Sequence, residues 1–184
     1  DQYALRAANQ LVGNPAGAAG LECTLVGPEL EFQADALVAV CGAQMPVRLD
    51  GVEQYPDTAF KVRAGQVLRF DFPRAGARAY LAVAGGIDVP QVLGSRSTYG
   101  LGALGGWQGR KLVAGDLLPV GVASGKSRAG ASLPMALRQS LGGEVLLRVV
   151  PGLYYDRLTA TAARDFFSDA WTVGSEADRI GYRF

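Results

Sequence analysis

Three features of the 184-residue sequence predict a mainly β architecture with one helix in front. Six or seven short runs alternate apolar with polar residues at intervals of roughly ten. Turn residues, above all Gly and Pro, punctuate those runs. The segment ahead of them carries a clear three-and-four spacing. Strands in succession after a single helix point to a β-barrel or sandwich and not to an alternating α/β sheet.

The opening segment 1–12 places Leu5, Ala8, Leu11 and Val12 at helical intervals. Asp1 is positioned to cap its start, and Gly13 followed by Asn14-Pro15 supplies the stop. From Gly20 the period becomes two. Leu21, Cys23 and Leu25 alternate with polar neighbours, and Gly27-Pro28 turns the chain toward Leu30 and Phe32. Strands are then expected at 36–41, 47–49, 59–62, 67–72 and 79–83, with turns at Asp50-Gly51, Ala64-Gly65 and Arg74-Ala75-Gly76.

Residues 85–115 hold nine glycines and several hydroxyls, and a loop of this length is commonly functional. Residues 112–120 read as a strand again and 121–132 as a linker. A strand at 145–150 and a helix within 155–171 follow, so a second, incomplete β unit is expected to begin near residue 141. Asp1 is no translation start, and the chain stops inside what reads as a continuing strand at 181–184. The sequence is therefore expected to be a piece of a longer protein.

Composition excludes several reaction classes. The chain has no histidine, hence no Ser-His-Asp or Cys-His nucleophile, no HExxH helix and no imidazole proton shuttle of its own. Cys23 and Cys41 are too few for a four-thiolate metal site and lack CxxC spacing, so they read as reduced core thiols of a cytoplasmic protein. A net charge of +1 gives no field that would gather nucleic acid. The apolar runs are far shorter than the ~20 residues of a membrane-spanning helix, and no signal peptide is visible.

Among residues that can carry chemistry, Gly94-Ser95-Arg96-Ser97-Thr98-Tyr99 with Gly105-Gly106-Trp107-Gln108-Gly109-Arg110 stands out. A guanidinium fork among hydroxyls and glycine amides can surround a carboxylate or phosphate. An equally available reading pairs Arg96 with a nearby acid such as Asp88 and spends the hydroxyls on the loop. The segment Gly121-Val122-Ala123-Ser124-Gly125-Lys126-Ser127 imitates a phosphate loop. It has three residues where that motif needs four, and no helix signal follows. Asp116, after Gly115, reads as a turn residue.

These motifs resemble the biotin-dependent carboxyltransferase-like family, which includes the C component of 5-oxoprolinase, KipA, allophanate hydrolase subunit 2 and the carboxyltransferase domain of urea carboxylase. The similarity is carried by 79–90 (AYLAVAGGIDVP), 92–99 (VLGSRSTY), Gly105-Gly106 with Gly109-Arg110, and Gly115-Asp116 near Pro119. The opening 1–14 (DQYALRAANQLVGN) and closing 178–183 (DRIGYR) blocks are similar as well. The resemblance implies a cyclophilin-like β-barrel with an N-terminal helix in residues 1–130, lacking its first strand. Residues 131–184 would then be a linker and the start of a second similar barrel, with a ligand groove between the two. It further implies Arg96, Ser97 and Thr98 as ligand-binding groove residues, joined by Asp1, Arg6 and Asn9 from the helix block and Arg179 and Tyr182 from the closing block. This sequence departs from the family pattern at Ala177, Ile180 and 153–155, which bears on substrate identity.

The expectation drawn from the resemblance is a subunit of an ATP-dependent, 5-oxoprolinase-like amidohydrolase. It would act on a small lactam or amide with a KipI-like companion subunit, ATP entering through the complex. An activated carbonyl would place its oxyanion or phosphate against Arg96 and the nearby hydroxyls. Two alternatives stand beside it: a KipA-type regulatory protein without catalysis, and carboxyl transfer from biotin to urea. The fragment alone is expected to be inactive.

Overall fold

The structure, a computed structural model, describes residues 1–177 and 181–184. Helix α1 spans Gln2–Leu11, as the spacing predicts. The Asp1 carboxylate accepts the Ala4 N–H at 3.1 Å, supplying the N-cap, and Gly13 at φ +78° takes the left-handed stop.

Among the described residues eight strands follow: β1 (Leu21–Thr24), β2 (Leu30–Glu31), β3 (Ala36–Gly42), β4 (Val47–Leu49), β5 (Val52–Glu53), β6 (Phe60–Val62), β7 (Val67–Phe70) and β8 (Arg78–Val83). They form two antiparallel four-stranded sheets, ordered β1-β8-β3-β6 and β2-β7-β4-β5. The strands expected up to residue 83 are present, and β5 is an addition. It is a two-residue strand that the Asp50-Gly51 turn returns against β4. Asp50 and Gly51 both have positive φ, the geometry such a tight hairpin requires.

Strand alternation sorts the buried residues into two layers. Val38 and Val40 of β3 and Ala79, Leu81 and Val83 of β8 join Val47, Leu49 and Leu68 from the second sheet in one core. The intervening Ala39, Cys41, Tyr80 and Ala82 face the other way and pack on Ala4, Ala7, Ala8 and Leu11 of α1. The first sheet is thus covered by a helix on one face and by the second sheet on the other. A one-residue slip in the β3–β8 register would exchange the two faces, so register is fixed by burial as well as by hydrogen bonds. The sheets share no strand, and no closed barrel forms among the described residues.

Two segments differ from expectation. Residues 112–120 form no strand; only an isolated bridge joins Val120 to Ile87. The supposed linker 121–132 is tied down. Ser124 Oγ donates to Gly13 O at 2.8 Å, Ser127 Oγ donates to Leu11 O, and Ala59 N donates to Ala131 O at 2.8 Å. The first compact unit accordingly runs Asp1–Gly143.

The second unit, Glu144–Phe184, contains a 3-10 turn at Tyr155–Arg157 and helix α2 (Ala160–Ser168), the helix expected there. Thr159 caps α2 through the Ala162 N–H at 3.1 Å. Phe166 meets Phe167 edge-on at 5.2 Å and approaches Trp171 at 6.3 Å and Phe184 at 6.4 Å. The strand expected at 145–150 is absent. No partner strand lies alongside it among the described residues, and its apolar side chains, such as Leu146 and Val150, are exposed.

Candidate functional site

The glycine-rich loop leaves β8 through Gly85 and Gly86, both left-handed. A Cβ on Gly85 would lie 2.0 Å from Gly121 O, so chain 121–122 presses directly on this exit. Farther on, Val92 and Ser95 exchange backbone hydrogen bonds at 2.8 and 3.0 Å across Leu93-Gly94. Gly105 and Gly106 then fold back on 97–98. A Cβ would sit 2.2 Å from Ser97 O in the first case and 1.9 Å from Thr98 Oγ1 in the second. The spacing of these glycines from Arg96 thus has a steric cause: they let the Arg96–Thr98 segment lie flat against its own return.

Arg96 Nη1 donates to Asp88 Oδ1 at 2.7 Å and to Ile87 O at 3.3 Å. Among the described residues no acceptor engages Nη2 or Nε. The guanidinium is half-buried, and Ser97 and Thr98 are exposed beside it. The pairing with Asp88 is the reading that the geometry realises. One edge of the fork is spent on Asp88 and the main chain, and the other remains available to an oxygen-rich ligand. Asp88 is itself placed by its N–H, which donates to Pro119 O at 2.8 Å.

The far end of the loop is closed by Arg110 and Asp116. Two parallel bonds of 2.8 Å join the guanidinium to the carboxylate, and the Val113 N–H adds a third at 2.8 Å. The Arg110 bonds, followed by the Val113 amide, hold the Asp116 carboxyl well below the ordinary aspartate range. This pair is a clasp on the loop, in keeping with the turn reading of Asp116.

Of the residues implied by the resemblance that lie in the helix block, the structure places each as follows. Asp1 caps α1, and its nitrogen donates to Tyr80 OH, which in turn donates to Glu22 Oε2 at 2.8 Å. Arg6 is exposed on α1. The loop exit at Gly85 lies instead by the C-terminal end of α1, so Asp1 is separated from it by roughly 15 Å of helix. Asn9 is fully buried. Its Nδ2 donates to Ala18 O at 2.9 Å and Ala16 O at 3.4 Å, and its Oδ1 accepts from Asn14 Nδ2 at 3.0 Å, which leaves nothing for a ligand. Tyr182 is exposed in the second unit. Arg179, with Ile180, lies outside the described residues. Sequence reasoning named Asp88 as a partner for Arg96 but passed over Asn14 as a support; Asn14 stands within a quoted motif, but nothing in the spacing announces its role.

Two cavities open on the first unit. One of about 460 Å³ lies beside α1 and the start of β4, with Tyr3, Cys41, Asp57, Arg74 and Arg138 in its wall. The other, about 1250 Å³, is an open and largely apolar groove that includes Phe32, Lys61, Ile87 and Leu118. Arg96, Ser97 and Thr98 line neither. Cys41 is buried, and burial, with Asp57 next to it, pushes its thiol far upward; Cys23 is pushed up to about 12, mainly by burial. Both are free thiols. Among the described residues no three acidic or thiol groups converge as metal ligands, and no helix is long and apolar enough to cross a membrane.

A helix-backed pair of β-sheets carrying a donor-bearing, glycine-built loop defines a small β-rich module. The family model for the carboxyltransferase domain, subdomains A and B, matches residues 1–184, and the chain belongs to this family. It is 40% identical over 183 residues to the C component of 5-oxoprolinase from Escherichia coli, covering 100% of this chain and 57% of that protein. It is 39% identical over 186 residues to a putative urea carboxylase of Emericella nidulans, covering 100% of this chain and 15% of that protein. The crystal structure of K. lactis urea amidolyase superimposes with a TM-score of 0.84 at 33% identity, covering 100% of this chain and 12% of that one. The chain thus spans little more than half of its bacterial relative and a small part of the fungal ones.

Proposed function

We propose that this chain is part of a subunit of an ATP-dependent, 5-oxoprolinase-like amidohydrolase that opens a small lactam or amide together with a KipI-like companion subunit. The observation that carries this reading is the Arg96 guanidinium, anchored on one edge by Asp88 and open on the other beside the Ser97 and Thr98 hydroxyls. Breaking an amide concentrates negative charge on the carbonyl oxygen, and a pre-placed donor fork binds that oxygen more tightly as the charge grows. The similarity to the C component of 5-oxoprolinase supports the reaction class. In the whole protein we assign these sheets to a cyclophilin-like barrel that a second, similar barrel completes.

The 121–127 segment does not form a phosphate loop. The hydroxyls of Ser124 and Ser127, which a phosphate loop would turn toward a ligand, are spent on the carbonyls of Gly13 and Leu11. ATP is accordingly assigned to the companion subunit. A second reading, carboxyl transfer from biotin to urea in the cytoplasm, is favoured by a urea carboxylase relative of nearly equal identity.

The full-length protein assembled with its companion subunits separates the two. Turnover of ATP that depends on 5-oxoproline and needs no biotinylated carrier supports the first. Activity only with urea and a biotinylated carrier supports the second, and tight association with a companion but no turnover of either substrate supports a regulatory, KipA-type role.

A further inference from the structure

We infer that Asn14 is the positioning residue for Arg96, with the buried Asn9 behind it; the catalytic part of the inference rests on the function proposed above. Asn14 bridges the end of α1 to the end of β8. Its Nδ2 donates to Val83 O at 2.8 Å and to Asn9 Oδ1 at 3.0 Å, and its Oδ1 accepts the Gly85 N–H at 2.8 Å. Asn9 extends the ladder to the 15–19 turn through Ala18 O and Ala16 O. From that turn Ala19 O accepts the Ile87 N–H at 3.0 Å. Both groups that hold Arg96, the Ile87 carbonyl and the Asp88 carboxylate, belong to the short segment that this ladder fixes.

The segment has little freedom to settle elsewhere. Gly85 and Gly86 sit at φ +97° and +73°, Gly121 N donates to Gly86 O at 2.9 Å, and Gly85 has no room for even a methyl group. Asn9 is fully buried and its amide satisfied, so a broken ladder leaves polar groups without partners and costs more than the bonds themselves. Among the described residues the side-chain hydrogen bonds of Asn14 go to Val83, Gly85 and Asn9. Removing its amide therefore releases the Gly85–Asp88 turn and moves the anchored edge of Arg96, while the sheet core keeps its packing.

The test is a double-mutant cycle in the full-length protein assembled with its companion subunits. Asn14→Ala, Arg96→Ala and the double variant are compared for kcat and KM with 5-oxoproline, and amide hydrogen exchange is followed at residues 85–88. The expected result is about a tenfold or greater fall in kcat/KM for Asn14→Ala, faster exchange at Ile87 and Asp88, and a double variant no slower than Arg96→Ala alone. An equal fractional loss in both backgrounds overturns the inference, since a merely structural residue lowers activity whatever stands at position 96. Should Asn14→Ala fail to fold, Asn14→Ser retains a hydroxyl for the Gly85 N–H and enters the same cycle. If Arg96→Ala alone leaves turnover unchanged, the proposed function loses its site. Exchange then decides the positioning: acceleration confined to 85–88 supports it, and unchanged protection there overturns it.

Discussion

Arg110 grips both carboxylate oxygens of Asp116 at 2.8 Å and thereby closes the base of a loop that otherwise consists largely of glycine and exposed side chains. Because the Asp116 carboxyl is held below its ordinary 3.8, the clasp is complete above about pH 4 and loosens as pH falls below that value toward the lower folded one. Hydrogen exchange across 105–116 is expected to be flat from pH 5 to 8 after correction for intrinsic rates, and to lose protection in acid. Asp116→Asn removes both the protection and its acid dependence. A loop equally protected in the variant contradicts the clasp.

Leu93 occupies a left-handed position, φ +50°, beside Gly94 at +76°, and its side chain is 96% exposed. Two positive φ values in a two-residue turn favour Asn-Gly, and leucine there costs about 1 kcal/mol with no packing in return. Leu93→Asn is expected to raise stability by about that amount in chemical denaturation. A loss of stability would contradict the backbone strain assigned to Leu93.

At Gly85 backbone strain and crowding act together. Gly85→Ala meets Gly121 O at 2.0 Å and also carries the left-handed φ, so a destabilisation on the order of 3 kcal/mol is expected from the shift in denaturation midpoint. Gly51→Ala, with open space around its Cβ, bears the conformational cost alone and should lose about 1 kcal/mol. Equal losses at the two sites would contradict the close approach of 121–122 to the loop exit.

Cys23 and Cys41 are buried with thiols driven upward, Cys23 to about 12. Native protein at pH 8 is expected to react slowly with a water-soluble disulfide reagent at both, and unfolded protein to react with two equivalents rapidly. Rapid labelling of one thiol in the native state would show that the cavity beside Cys41 admits the reagent.

Much of the first unit was legible because burial enforces a period. β3 and β8 alternate residues between two cores, and α1 shows Ala4, Ala7, Ala8 and Leu11 to one of them, so the pattern and the packing are one fact. The strands read at 112–120 and 145–150 are apolar enough for β structure, but a strand also needs a neighbour, and sequence composition does not supply one. The segment 121–132 looked like a linker because it is small and polar; Ser124 and Ser127 are in fact hydrogen-bonded to the end of α1. In the site, the Arg96 loop was visible from its glycines and hydroxyls. Asn9 was not readable as a buried support, because an amide that binds a ligand and one that binds the main chain have the same letter.

The most direct measurement of the central claim is 5-oxoproline-dependent ATP turnover by the full-length protein with its companion subunits, compared between the native sequence and Arg96→Ala after size-exclusion chromatography has shown equal assembly. Loss of an oxyanion-binding guanidinium predicts a fall in kcat/KM of about a hundredfold with the complex intact. Unchanged turnover in the Arg96→Ala assembly would contradict the account.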